Sequence, residues 1–181
     1  MILNDIAPAM LEHLQKHLIL PAHLKILAGN AERLNFDPVD LIAANAVFQW
    51  FLEPAVTLVK FAQSLRPGGR LVFSTFGPKT LEEFRSTSDL PSPISLYSLK
   101  TWEMMIREAG FTTIASDCEI RKSFAPNSLA LLKNLQQIGA APFKKVTSGR
   151  LRGMIRDYDQ RFSTPQGVYA TWELFYLSAG I

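Results

Sequence analysis

The 181-residue chain has one cysteine, Cys118. It can therefore close no disulfide within itself, and a reducing cytoplasm is the natural compartment. Charge of neither sign dominates. Nineteen Lys and Arg against sixteen Asp and Glu leave +3, far from the dense basic patterning of a nucleic-acid binder, yet suited to an acidic partner or an anionic small molecule. No apolar run approaches the ~18 residues of a membrane-spanning helix. The opening MILNDIAPAM lacks the basic region, apolar core and cleavage site of a signal peptide. No HExxH pattern or second cysteine joins His13, His17 and His23, so no metal is expected. His13 and His17, spaced i, i+4, read as solvated helix residues. Cys118 reads as a small residue near a strand end rather than a nucleophile.

What is present is ordinary globular material, 48% hydrophobic and 19% charged, which suits one domain over residues 1–181. After a short apolar stub ending at Asp5, Met10, Leu11, Leu14 and Leu18 repeat with helical period, and Pro8 fits the first turn. HLKILAG is a short β-type run. VDLIAANA (39–46) is the near-continuous apolar run of a strand covered on both faces. Residues 53–65 place Ala55, Leu58, Val59, Ala62 and Leu65 on one helical face. RPGG stops that helix, and RLVFSTF (70–76) is the next strand. A helix over 79–85, a Ser- and Pro-rich loop over 86–95, and a helix capped by Ser98 and stopped by Gly110 follow. Residues 111–124 read as a strand or strand pair, 128–138 as a helix, and 140–149 as a basic loop. RLRGMIRDYDQRF reads as a helix, and GVYATWELFYLSAG as a strongly β-prone last strand. Strands alternating with helices predict an α/β fold, a parallel sheet with helices on both faces. Such sheets bind ligands beyond the carboxyl ends of their strands, and Asp5, Asn30-Ala31, Asn45 and Ser74 all fall near such ends.

The stretch DLIAANAVFQWFLEPAVTLVKFAQSLRPGGRLVFSTFGPKTLEE, together with NDIAPAML, resembles the class I S-adenosylmethionine-dependent methyltransferases. It most resembles the malonyl-(acyl-carrier protein) O-methyltransferases of biotin synthesis. The resemblance is strongest from Asp5 to about Gly110, and the Ser-Thr-Phe-Gly ending is its most particular element. It implies a Rossmann-like sheet with an antiparallel C-terminal strand. It also implies S-adenosylmethionine as cofactor and methyl transfer to the free carboxylate of a malonyl thioester on acyl carrier protein.

Carried over by residue, the resemblance gives Asp5 to both ribose hydroxyls, since a carboxylate takes two donors at once. Asn30 and Ala31 go to the adenine edge, Asn45 to the methionine part, and Gln49, Trp50 and Ser74 to the substrate pocket. Asn30 departs from the Asp more usual in the family. On the residues alone, Asp5 reads as a helix cap, Trp50 as a core aromatic, and Thr75 as a strand end. No acid–base pair is expected, because a carboxylate acceptor is already a nucleophile. The family's Gly-rich loop of E-x-G-x-G-x-G type has no counterpart in the chain. This predicts a sheet incomplete at its N-terminal side, weak cofactor binding, and self-association through an exposed sheet edge. The alternatives are a methyltransferase of another small molecule, or an inactive remnant or subunit completed by a separate chain.

Overall fold

Pro8 sets the first turn of α1 (Pro8–His17), where its missing N–H costs nothing. The helix connects β1 (Ile2–Asp5) to β2 (Lys25–Ala28), and the two strands pair in parallel. This crossover is the first unit of a computed structural model that describes residues 1–87, 94–137 and 147–181. Then follow β3 (Val39–Asn45), a 3-10 turn (Phe48–Trp50), α2 (Pro54–Ser64) and β4 (Leu65–Phe76). Next come α3 (Glu82–Ser86), α4 (Leu99–Glu108), β5 (Thr113–Ala125) and α5 (Ser128–Gln137). The chain closes with α6 (Ser148–Phe162), β6 (Ser163–Thr164) and β7 (Gly167–Gly180).

The expected order of helices and strands is observed, with three corrections. The alternation of strands and helices predicted one parallel sheet; the sheet is instead in two pieces, and its last strand is antiparallel, as the resemblance implied. β1 and β2 form a separate two-stranded sheet, while the larger sheet runs β3-β4-β7-β5, with β6 added beside β7. β3 and β4 are parallel, and β7 is antiparallel to both β4 and β5. Second, RPGG lies inside β4. The register with β3 jumps from Val39–Leu65 to Leu41–Arg70, and Gly68 takes φ +79° to make the detour. Third, α3 starts at Glu82, not Lys79. The preceding residues dock onto β7: Leu81 N–H donates to Thr171 O at 2.7 Å, and Leu81, itself in the left-handed region at φ 54°, buries its side chain in the core. Residues 111–124 resolve into one long strand, and Cys118 lies in its middle and is exposed. Most of the expected loops at 86–95 and 140–149, with Lys144 and Lys145, lie outside the described residues.

Strand alternation puts Leu71, Phe73 and Thr75 of β4 and Phe175, Leu177 and Ala179 of β7 on one face of the sheet, where α2 and α4 bury them. Phe48, Phe61, Trp102 and Ile106 fill the space between these layers. Ser98 caps α4, its Oγ accepting from Thr101 N–H at 3.1 Å, and Gly110 ends it at φ +99°. A second core forms where β5 and β7 extend past β4. There α3, α5 and α6 enclose Phe84, Leu132, Leu135, Tyr158 and Ala170. Tyr158 donates its hydroxyl to Tyr169 O at 2.7 Å. Burial, then the neighbouring Glu83, push that phenol well above its ordinary range.

Candidate functional site

Past the second core, the opposite face of the larger sheet is open to solvent around Ala43, Val72, Tyr176 and Ala115. Register places Asn45 beside Ser74, Ser74 beside Tyr176, and Tyr176 beside Asp117. Directly paired residues share a face with Cβ atoms about 4.5–5.5 Å apart, so these four form one polar row across four strands. One step back, Ala43, Val72, Ser178 and Ala115 form a row of small and apolar side chains. Both rows line an open concavity of about 620 Å³. Val72 and Tyr176 are 42% and 40% exposed there.

The polar row lies at the carboxyl end of β3. The chain leaves β3 through Ala46, at φ 52°, a conformation a β-carbon disfavours. Ala46 N–H is held at 3.1 Å from both the carbonyl oxygen and Oγ of Ser74. Ser74 Oγ in turn donates to Asn45 Oδ1. Asn45 is therefore fixed through its carbonyl oxygen, and its Nδ2 makes no bond among the described residues. Three residues on, Gln49 is buried. It donates to Ala46 O at 2.6 Å and accepts from Thr75 Oγ1 at 3.3 Å, so it braces the turn from beneath. Trp50 projects from the same turn and is 48% exposed.

The other expected binding residues sit at the ends of β1 and β2. Asp5 Oδ1 accepts from Ala7 N–H at 2.8 Å, a bond of the turn that leads into α1, whose cap position is Ala7, and Oδ2 has no partner among the described residues. Asn30 follows Gly29 and accepts Glu32 N–H on its Oδ1 at 2.9 Å. Asn4 ties these two ends together, donating to Leu27 O and Gly29 O at 2.9 and 3.0 Å. The structure thus groups Asn45, Ser74, Gln49 and Trp50 around one turn, and Asp5, Asn30 and Ala31 around another. Between the two sheets lies a cavity of about 690 Å³ that both Ala31 and Asn45 line.

Sequence reading missed Asp117 and Tyr176, which reach the polar row only through the antiparallel pairing of β5 with β7. It also missed Glu32 and Lys60, which fasten the Asn30 turn to α2. The signal for the last pair was faint: a lysine on an otherwise apolar helix. Desolvation lowers the Lys60 ammonium, with Glu32 opposing. Cys118 is pushed up, by desolvation and then by Glu173, which is the wrong direction for a nucleophile. His13 and His17 stack at 4.0 Å on the exposed face of α1. Among the described residues no group of three His, Cys, Asp or Glu could hold a metal, and no helix is long and apolar enough to cross a membrane.

The glycine of the Ser-Thr-Phe-Gly ending has a physical role. Gly77 N–H donates to Glu173 O at 2.8 Å, and a β-carbon on it would lie 2.4 Å from both Glu173 Oε2 and the Phe175 ring. A side chain there would have to push the Glu173 carboxylate and the Phe175 ring aside where β4 leaves the sheet against β7. Glu173 then accepts Lys79 N–H at 2.8 Å, and the buried Glu83 accepts from Thr171 N–H at 3.0 Å and from its hydroxyl. The segment after the motif is thereby anchored to β7.

A family described as a methyltransferase domain matches residues 1–73. Across 97% of its length the chain is 29% identical to a malonyl-(acyl-carrier protein) O-methyltransferase of Paenibacillus sp. (strain JDR-2), covering 72% of that protein. It is 30% identical, again over 97% of its length, to malonyl-(acyl-carrier protein) O-methyltransferase 1 of Ilyobacter polytropus, covering 69% of it. Among the curated relatives that match are others of which the chain spans only 56%. In three dimensions, 99% of the chain superposes on 81% of the YcgJ protein of Bacillus subtilis at TM-score 0.71 and 15% identity, which shows a shared fold. Together, the split Rossmann-like sheet, the polar strand ends and these likenesses place the chain in the class I S-adenosylmethionine-dependent methyltransferase family, beside the malonyl-(acyl-carrier protein) O-methyltransferases.

Proposed function

We propose that this chain provides the acceptor side and part of the cofactor side of a methyltransferase that esterifies the free carboxylate of malonyl-acyl carrier protein. The observation that carries this reading is its similarity to curated enzymes of that name over 97% of its length. The donor chemistry at the strand ends fits S-adenosylmethionine. Asp5 Oδ2 is an uncommitted acceptor for ribose hydroxyls, the Asn30 turn borders the adenine, and Asn45 Nδ2 is an uncommitted donor toward the methionine part. The cofactor, when bound, supplies a methyl group on a sulfonium centre. The chain's own work is to hold the acceptor carboxylate in line with that methyl group and to keep water away, so its contribution is alignment and desolvation. Gln49 and Ser74 keep the Asn45 turn rigid for this, and Trp50 borders the acceptor. No general base is needed.

The test is transfer of labelled methyl groups at millimolar cofactor to malonyl-acyl carrier protein, compared with quinone and phenol acceptors. Transfer to the malonyl thioester is expected. Transfer only to the phenols would make this a methyltransferase of another small molecule, and transfer to neither would make it an inactive subunit or remnant.

The carrier protein, being acidic, would dock on a basic surface. Arg152 and Arg156 are exposed neighbours one turn apart on α6, and neither makes a salt bridge among the described residues. Arg161, by contrast, is taken up by Asp157 at 2.9 Å. Reversing both (Arg152→Glu, Arg156→Glu) is expected to lower kcat/KM for carrier-bound malonyl roughly tenfold at low salt and to flatten its salt dependence. Activity on malonyl-coenzyme A should change little. Equal losses on both substrates would leave these arginines as plain surface.

The outer edge of β5 carries the proposal of self-association. It is thirteen residues long, ends the sheet, and pairs Glu119 with Arg121 at 2.6 Å. A two-fold partner would meet the same charges in reverse order, an isologous antiparallel contact. Light scattering is expected to show a dimer; a monomer mass independent of concentration would refute it.

A further inference from the structure

The segment after β4 presents one lysine at the carboxyl end of that strand and holds its backbone still. Gly77 N–H donates to Glu173 O at 2.8 Å, and Leu81 N–H to Thr171 O at 2.7 Å. Between them, Lys79 N–H donates to Glu173 Oε2 at 2.8 Å. Thr80 Oγ1 donates to Glu173 O at 3.1 Å and accepts from Glu173 N–H at 3.0 Å. Arg85 turns back and donates to the carbonyl oxygens of Pro78 and Thr80. The stem of Lys79 therefore starts from a fixed point, which lowers the cost of ordering it against a ligand.

The Lys79 side chain itself is uncommitted. The residue is exposed, and its ammonium makes no hydrogen bond or ion pair among the described residues. Other cations of the sheet and of this segment differ. Arg85 is bound to carbonyls, Arg121 to Glu119 at 2.6 Å, and Lys122 lies 3.9 Å over the Tyr169 ring. At the opposite end of β4, Arg66 pairs with Asp40 at 2.7 Å. The ladder shows what Lys79 faces. Thr75 pairs with Phe175, and Phe175 with Cys118, a row on the face where Thr75 Oγ1 meets Gln49. Desolvation and then Glu173 push the Cys118 thiol up, and Lys79 opposes them. Its ammonium thus stands within electrostatic reach of that row. The buried Glu173 carboxylate would repel an anion brought to this end of the sheet, so an anionic acceptor is held here only beside a cation.

We propose that Lys79 holds the free carboxylate of the acceptor and makes the site select a malonyl thioester over its methyl ester. The inference rests on the methyl-transfer reading and names the group that orients its acceptor. A lysine suits the task better than an arginine. Its ammonium is a point charge that can take one carboxylate oxygen and leave the other to attack, whereas a guanidinium fork engages both. Methylation removes the negative charge, so the same contact favours release of the ester.

The probes are malonyl-pantetheine, which carries no phosphate, and its methyl ester. Binding to the full chain is followed by ligand-observed NMR without cofactor. The acid is expected to bind roughly tenfold more tightly than the ester at low salt, and the preference should shrink as salt rises. Lys79→Met and Lys79→Gln should each bring the two ligands within about twofold, with the thermal midpoint unchanged. Lys79→Arg should keep most of the preference. Lys133→Met, at an exposed cation on α5, should leave it whole. If labelled methyl transfer fails while the preference is seen and is lost with Lys79, the methyl-transfer reading falls and the carboxylate site stands. Equal binding of acid and ester, no binding of either up to about 10 mM, or a preference that survives both Lys79→Met and Lys79→Gln would each overturn the proposal. So would a loss confined to 4′-phosphopantetheine, which would assign the ammonium to the phosphate of the carrier's arm.

Discussion

Titration of the 181-residue chain with S-adenosylmethionine is expected to give a dissociation constant weaker than micromolar. Micromolar binding would require roughly 8 kcal/mol from the groups present. Those groups stand on two walls. Asp5 and Asn30 end the strands of the smaller sheet, and Asn45 ends the first strand of the larger one. Between them lies the open slot, and among the described residues no Gly-rich turn presents consecutive main-chain N–H groups there to the middle of a bound cofactor. Each wall can offer a few hydrogen bonds worth about 0.5–1.5 kcal/mol net, against the cost of immobilising the ligand. Calorimetry is the direct check. A dissociation constant of about 1 µM or tighter would mean that the two walls bind as one site despite the slot. Asp5→Ala would then separate the ribose contribution from the rest.

Phe48→Ala is expected to destabilise the fold by about 3–5 kcal/mol, a large share of the 5–15 kcal/mol typical of a domain. The ring is fully buried. It stacks on Phe73 at 3.9 Å and meets Phe51, Phe61 and Trp102 with ring centres 4.8 to 6.0 Å away. These partners come from β4, α2, α4 and the segment after the turn, so no single neighbour can move to fill the space. Phe48 also starts the turn that carries Gln49 and Trp50, which links the core directly to the acceptor side of the site. A urea titration measures the loss from the shift in midpoint at constant slope. A change below about 1 kcal/mol would show that the cluster repacks, as volume-tolerant cores do.

Much of the site was legible locally. Pro8, Ser98 and Gly110 mark helix ends because caps are decided by one residue and its immediate neighbours. The apolar run at 39–45 read as a strand because side-chain burial has a period of its own, and Asn45 and Ser74 fell at strand ends for the same reason. Asp5 does not cap α1 as its place before IAPAML suggested; its carboxylate bonds Ala7 N–H in the turn before the helix, and Ala7 itself holds the cap position. The second oxygen of Asp5 remains available for the ribose role that the resemblance assigned to it.

Other features were settled at a distance. α3 begins late because Leu81 and Thr80 bond to β7, about ninety residues further along, and no local propensity carries that information. The close approach at Gly77 is made by the Glu173 carboxylate and the Phe175 ring of a strand distant in sequence. Gln49 turned inward because Thr75 Oγ1 and Ala46 O were there to satisfy its amide; an exposed position would have fitted the sequence equally well.

By itself, then, the sequence determined the order of elements, their caps and the residues at the strand ends, all of which follow from periodicity and from single-residue backbone preferences. The tertiary structure alone decided which strands are neighbours. That choice placed Tyr176 and Asp117 beside Ser74, left the sheet surface around them open, and opened the slot between β1 and β3. Strand pairing joins residues far apart in the chain through main-chain groups that every residue carries, so the order of side chains does not name the partner.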